Sequence, residues 1–151
     1  MNKLTSQGAE NLDLKHPLFE YPRMYLQRDS YHTLNGEWEY QIVKDNETYN
    51  NQNWKKIIVP FAIGSSLSLA QDMILNVDET LYYRKKFSYP PTKNKVVLNF
   101  EAVDQEAMVY LNGHFVGDHF GGYAPFSLDI TKTIKKDNEL IVKVKDYSDT
   151  G

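Results

Sequence analysis

Glu101, Asp104 and Glu106 lie within the run Phe-Glu-Ala-Val-Asp-Gln-Glu-Ala. Close carboxylates of this kind can supply the acid and the nucleophile that cleave an acetal, with their separation setting the stereochemistry. The run also joins two apolar alternations, where a polar, solvated turn is the ordinary outcome. Nothing around it in the sequence supplies the apolar pocket that raises a carboxyl pKa for acid work. Of the four histidines, His16 and His32 stand far from His114 and His119, which flank Asp118 without a third ligand at metal-binding spacing. Ser65, Ser66 and Ser68 lack the G-x-S-x-G elbow of a serine nucleophile. Gly113, Gly117, Gly121 and Gly122 open no helix, so they read as turn and close-approach glycines instead of a phosphate cradle. With no cysteine present, thiolate chemistry is excluded. The sequence therefore predicts no catalytic residue, no metal site and no cofactor.

Partners are narrowed by charge. A formal charge of −3 and a pI near 5.8 give no basic footprint for a phosphate backbone, so nucleic acid is not an expected partner. Arg84-Lys85-Lys86 and Lys135-Lys136 are interleaved with acids and read as solvated faces. No apolar stretch is long enough to span a bilayer. Residues 1–14 hold one basic side chain, Lys3, and no signal-peptide core, so a cytoplasmic location is the expectation. Aromatic residues make up 13% of the chain, with 11 tyrosines, and any exposed near loops offer flat apolar faces for sugar rings.

The elements that must position these residues are strands. Apolar residues come in short runs broken by Gly, Pro, Asn and Asp, which points to an all-β chain of one domain. Trp38, Tyr40 and Ile42 alternate with Glu37, Glu39 and Gln41 in a half-buried strand. Residues 54–59 and 80–89 form two more strands, each stopped by proline, with a long connection over 61–79. Val96, Leu98, Phe100 and Ala102 share one face of a fourth strand, and Ala107, Val109 and Leu111 one face of a fifth. Asn112-Gly113 then predicts a type I′ hairpin, whose two central residues need positive φ. Residues 126–130 make another strand, 131–136 a single helical turn, and 139–147 the last strand, with Lys143 and Lys145 opposite Leu140, Val142 and Val144. About eight strands of this spacing predict a two-sheet jelly-roll sandwich. Residues 1–21 are expected to be an N-terminal strap over a domain formed by 22–151.

Six segments in order carry a family resemblance: Leu34-Asn35-Gly36-Glu37-Trp38, Ile58-Val59-Pro60, residues 81–87 (LYYRKKF), residues 109–117 (VYLNGHFVG), residues 119–127 (HFGGYAPFS) and Asp129-Ile130-Thr131. Together they resemble the N-terminal galactose-binding-domain-like jelly roll of glycoside hydrolase family 2, which includes β-galactosidases, β-glucuronidases and β-mannosidases. Ala124 stands where that family often has Thr, and Tyr82 where it often has Trp. The resemblance implies a non-catalytic domain whose partners in the parent chain are an immunoglobulin-like domain and a catalytic TIM barrel. The family's catalytic glutamates lie in that barrel, so this segment alone is expected to hydrolyse nothing. A second acidic sugar contact of the family falls beyond Gly151. The loop before residues 82–87 reaches the sugar in the galactosidase branch, which makes Asn76 or Asp78 the candidate contact for a β-glycoside. His119 and Tyr123, in the segment around Gly121-Gly122, are further carbohydrate-contact candidates. A homo-oligomeric parent is compatible with the resemblance. Two other readings stay open, a stand-alone carbohydrate-binding module and an interaction sandwich with no sugar contact. A docking domain is expected to leave an apolar patch exposed, unlike a free-standing module.

Overall fold

The structure, a computed structural model, describes residues 13–15, 17 and 31–147. All but four residues of the expected strap over 1–21 lie outside the described residues, as do both ends of the expected 22–151 domain. Eight strands are formed: β1 (Gly36–Lys44), β2 (Lys55–Val59), β3 (Glu79–Ser88), β4 (Val97–Phe100), β5 (Glu106–Leu111), β6 (His114–Phe120), β7 (Phe126–Asp129) and β8 (Asp137–Lys145). The described residues contain no helix. Two compact units are distinguished, one of residues 1–38 and 56–74, the other of 39–55 and 75–151.

The first unit holds most of β2, which ends before Pro60, a residue that follows a cis peptide bond. The Gly36 Cα carries no side chain because the carbonyl oxygen of Lys15 lies 3.0 Å from where a Cβ would sit, and its φ of 114° suits glycine alone. The long connection is a series of turns. Ser68 is fully buried, donates its hydroxyl to the Ser65 carbonyl at 2.8 Å, and accepts from the Ala70 amide at 3.0 Å. The Ser68 hydroxyl is thus committed to bonds within the connection.

In the second unit the strand order is β1-β3-β8-β5-β6, every described pairing antiparallel, with β4 and β7 forming a separate two-stranded sheet. This is the expected all-β, two-sheet architecture, with one sheet much larger than the other. Alternation dictates the core. Ala107, Val109 and Leu111 of β5 are fully buried, as are Leu140, Val142 and Val144 of β8 to within 3%. Leu128 of β7 comes so close to β6 that a Cβ on Gly117 would lie 2.5 Å from its methyl group. A side chain at that position would push β7 away.

Residues 131–136 close the single turn expected there, with the Ile134 amide on the Ile130 carbonyl at 2.9 Å. Two expectations are corrected. The fourth strand stops at Phe100, so Ala102 is exposed in the turn after it. Arg84 is not on a solvated face. Its Nε donates to Glu39 at 2.7 Å, and the guanidinium sits 4.2 Å over the Trp54 ring, which leaves the residue 8% exposed.

The predicted hairpin is present, with φ of 53° at Asn112 and 81° at Gly113. Asn112 does more than turn. Its Nδ2 donates to the Thr133 carbonyl at 2.8 Å and to Asn138 Oδ1 at 2.9 Å, and its Oδ1 accepts from the Glu139 amide at 3.0 Å. Asn112→Gly keeps the backbone conformation and removes these bonds, costing about 1–3 kcal/mol. Asn112→Ala adds the left-handed strain of a Cβ residue, about 1 kcal/mol more. Urea denaturation of both variants checks the order: equal midpoints would refute the strain contribution.

Candidate functional site

The antiparallel order brings five strand ends to one end of the sheet. These are the C-terminal ends of β1, β8 and β6 and the N-terminal ends of β3 and β5, joined by the pairs Lys44 with Glu79, Glu106 with Lys145, and Glu106 with Phe120. All four carbohydrate-contact candidates belong to this end. Asn76 and Asp78 precede β3, whereas His119 and Tyr123 belong to the end of β6 and the turn after it. At roughly 4.8 Å per strand, β3 and β6 are about 14 Å apart in the sheet. They make two groups and not one constellation.

The first group is a tight turn. The Glu79 amide donates to the Asn76 carbonyl at 3.0 Å, and Glu79 Oε2 accepts from the Asn76 amide at 3.1 Å and from its Nδ2 at 2.7 Å. Asp78 Oδ2 accepts from Lys44 Nζ at 2.9 Å, and the Asp78 carbonyl accepts from the Asp45 amide at 3.1 Å. Beneath the turn lies Lys145, its side chain 13% exposed, donating to both Asp45 carboxylate oxygens, to the Val77 carbonyl, and to the Glu79 carbonyl at 3.2 Å. Thr80 Oγ1 donates to Asp45 Oδ1 at 2.9 Å. Asp45, Thr80, Glu106, Met108, Lys143, Lys145 and Tyr147 line a cleft of about 320 Å³ on the outer face of the sheet. The Tyr147 hydroxyl, at its rim, donates to Glu106.

The carboxylates of the turn are held ionised. Lys145 first, then Thr80, lowers the Asp45 pKa, whereas Lys44 lowers that of Asp78. The amide and side chain of Asn76 lower Glu79, and the hydrogen bonds to Asp78 and Glu79 raise Lys44 in turn.

The second group is built differently. The His119 ring stacks on Phe126 with centroids 4.4 Å apart, and Phe126 stacks on Phe100 at 4.7 Å. His119 Nε2 is buried without a hydrogen-bond partner, so this edge of the ring does not face solvent. Tyr123 is 97% exposed, and Phe120 beside it 67%. Gly122 passes against Asp104, whose Oδ1 would lie 2.2 Å from an added Cβ. Asp104 thus packs on this turn, while Glu106 pairs with Tyr147, so the acidic run is divided between two neighbours. Among the described residues no group of three metal-ligating side chains converges.

Sequence reasoning passed over Asp45 and Lys145. The signal available was a lysine on the polar face of the last strand, which is indistinguishable from a solvated lysine until the strand register is known.

Residues 67–150 match the family described as glycosyl hydrolase 2 galactose-binding domain-like. The chain belongs to this family. A β-glucuronidase of Formosa agariphila is 30% identical over 135 residues, 79% of this chain and 14% of that protein. A β-galactosidase of Thermoanaerobacter pseudethanolicus is 49% identical over 59 residues, 38% of this chain and 8% of that protein. The chain therefore spans a small part of the curated relatives it matches. Among solved structures, a β-glucuronidase from an uncultured Clostridium species aligns with a TM-score of 0.58 at 26% identity, covering 74% of this chain and 21% of its own. The Bifidobacterium dentium β-glucuronidase aligns with a TM-score of 0.64 at 24% identity, covering 80% and 21%. That second likeness speaks for the fold.

The depressed carboxyls give the turn a pH dependence with a definite sign. A folded pKa below the unfolded value contributes stability above the unfolded pKa, and that stability is lost as pH falls through the folded value. Protection of the Asp45 and Glu79 amides against hydrogen exchange should hold from neutrality to about pH 4–5 and fall below it. Unchanged protection factors at pH 3 would show that the ion pairs do not hold the turn.

Proposed function

We propose that this chain is a non-catalytic, sugar-contacting domain of a β-glycosidase that hydrolyses β-glucuronides or β-galactosides. It forms one wall of the substrate pocket and docks on the catalytic barrel and immunoglobulin-like domains of its parent. The observation that carries the reading is the 76–79 turn within a family 2 domain. Asn76 and Asp78 are exposed on that turn, the Asn76 Nδ2 held by Glu79 and the Asp78 carboxylate by Lys44, so their acceptor oxygens are fixed in place. Such preorganised acceptors suit the hydroxyls of a sugar, because few bonds must be rearranged on binding. The names of the matched relatives support the substrate class, and their greater length supports further domains in the parent. Exposed Phe120 and Tyr123 are apolar surface of the kind a docking domain would use. The lack of cysteine fits a cytoplasmic setting.

Kinetics of the full-length enzyme test the contact. Asn76→Ala and Asp78→Ala should each lower kcat/KM by about tenfold or more, with the melting temperature unchanged. Wild-type values in both variants would sink the assignment. The chain alone should leave aryl β-glucuronides and β-galactosides intact. Micromolar sugar binding by the chain alone would instead favour the stand-alone module.

A further inference from the structure

We infer that Lys145, neutralised by Asp45, is a positioning residue for the sugar-contacting turn, setting substrate affinity through the backbone without touching the substrate. The inference rests on the proposal that Asn76 and Asp78 meet the sugar. Its own warrant is geometric.

A lysine ammonium has three N–H donors and no acceptor. At Lys145 these donors face the Asp45 carboxylate and the carbonyls of Val77 and Glu79, so the fixed cation is spent on the backbone of the turn. Those carbonyls bracket Asp78. Two consecutive side chains on the turn, Val77 and Asp78, point outward and are exposed, so neither provides packing that would fix it from above. The hydrogen bonds within the turn close it locally, between Asn76 and Glu79. They do not fix its position against the sheet. That anchoring comes from Lys145, from Lys44 through Asp78, and from the Asp45 amide on the Asp78 carbonyl.

The two anchoring lysines differ in what they can do. Lys44 Nζ reaches Asp78 and Glu79 from a side chain half exposed to water, where an ion pair is screened and contributes little. Lys145 is largely withdrawn from solvent, and its carboxylate partner is held in turn by Thr80 of β3. Asp45, at the end of β1, and Lys145, at the end of β8, come from the strands on either side of β3. The pair therefore joins both neighbours of the strand that follows the turn. A displacement of reacting or binding groups by about 1 Å is enough to lower catalytic efficiency a hundredfold. Removal of the ammonium should therefore act on substrate affinity from a distance.

The test is a double-mutant cycle in the full-length enzyme, with Lys145→Met, Asn76→Ala and the double variant, read as separate kcat and KM and accompanied by exchange protection at the Glu79 and Thr80 amides. Asp45→Asn, at a half-exposed carboxylate, serves as the milder variant should Lys145→Met fail to fold. The expected result is about a tenfold rise in KM for Lys145→Met with kcat within about twofold, faster exchange at the turn, and no further loss in the double variant. Asp45→Asn should move KM the same way by a smaller factor, and Lys145→Arg should recover part of the loss. Losses that multiply in the double variant would overturn the inference, because they mark an effect that does not pass through the turn. Wild-type KM in Lys145→Met, or in Asp45→Asn if the former does not fold, would overturn it too, with Asn76→Ala still impaired and the contact assignment intact. Wild-type kinetics in Asn76→Ala would remove the contact assignment itself, and the positioning role with it.

Discussion

An ammonium group withdrawn from water must find its full complement of acceptors, and one unmatched charge of this kind costs several kcal/mol. Lys145 meets that requirement only because three strand ends arrive together: Asp45 from the end of β1, the Val77 and Glu79 carbonyls from the start of β3, and the lysine from the end of β8. The registers enforce it. Leu81 lies opposite Val144, and Val43 opposite Thr80. Side chains alternate with a period of two, so a slip of one residue in β8 would turn Lys145 into the core and Val144 out to the cleft. The apolar core and the ion cluster thus select the same register from opposite faces of one sheet.

The other end of the strand order is governed by close approach. Gly117 lets Leu128 of the two-stranded sheet settle against β6, and Gly122 lets the Asp104 side chain settle against the turn after β6. The stacked rings of Phe100, Phe126 and His119 fill the space between these contacts. His119 is drawn into packing by that stack, and Tyr123, three residues past the end of β6, is left almost wholly in solvent. The difference between two neighbouring candidates in one sequence motif arises from which of them lies above the small sheet.

The strands were legible where one face is buried. Alternation in Ala107, Val109 and Leu111, and in Leu140, Val142 and Val144, needs no tertiary knowledge, and Asn112-Gly113 carries its turn in its own backbone preference. The turn before β3 was singled out only through family resemblance, because Asn76-Val77-Asp78-Glu79 reads locally as any polar loop. Arg84 and Lys145 escaped for a shared reason. Each is a cation on the polar face of a strand, and burial comes from groups far along the chain: Trp54 with Glu39 for the first, Asp45 for the second, 100 residues away. Periodicity reports which face a residue takes, and cannot report what lies over that face.

The electrostatics of the turn bear on what kind of work it can do. A general acid must hold its proton near neutral pH, which calls for burial or a neighbouring like charge that raises a carboxyl pKa. Asp45, Asp78 and Glu79 are all shifted the other way, by Lys145, by Lys44 and by the Asn76 donors respectively. Carboxylates kept ionised in this way accept hydrogen bonds throughout the physiological range and donate none. That is the requirement for recognising sugar hydroxyls, which can all donate, and it is the opposite of the requirement for protonating a leaving group. A turn assembled from depressed carboxyls, a neutral amide and backbone carbonyls pinned by a lysine is therefore suited to accepting hydrogen bonds from hydroxyl groups and not to donating a proton.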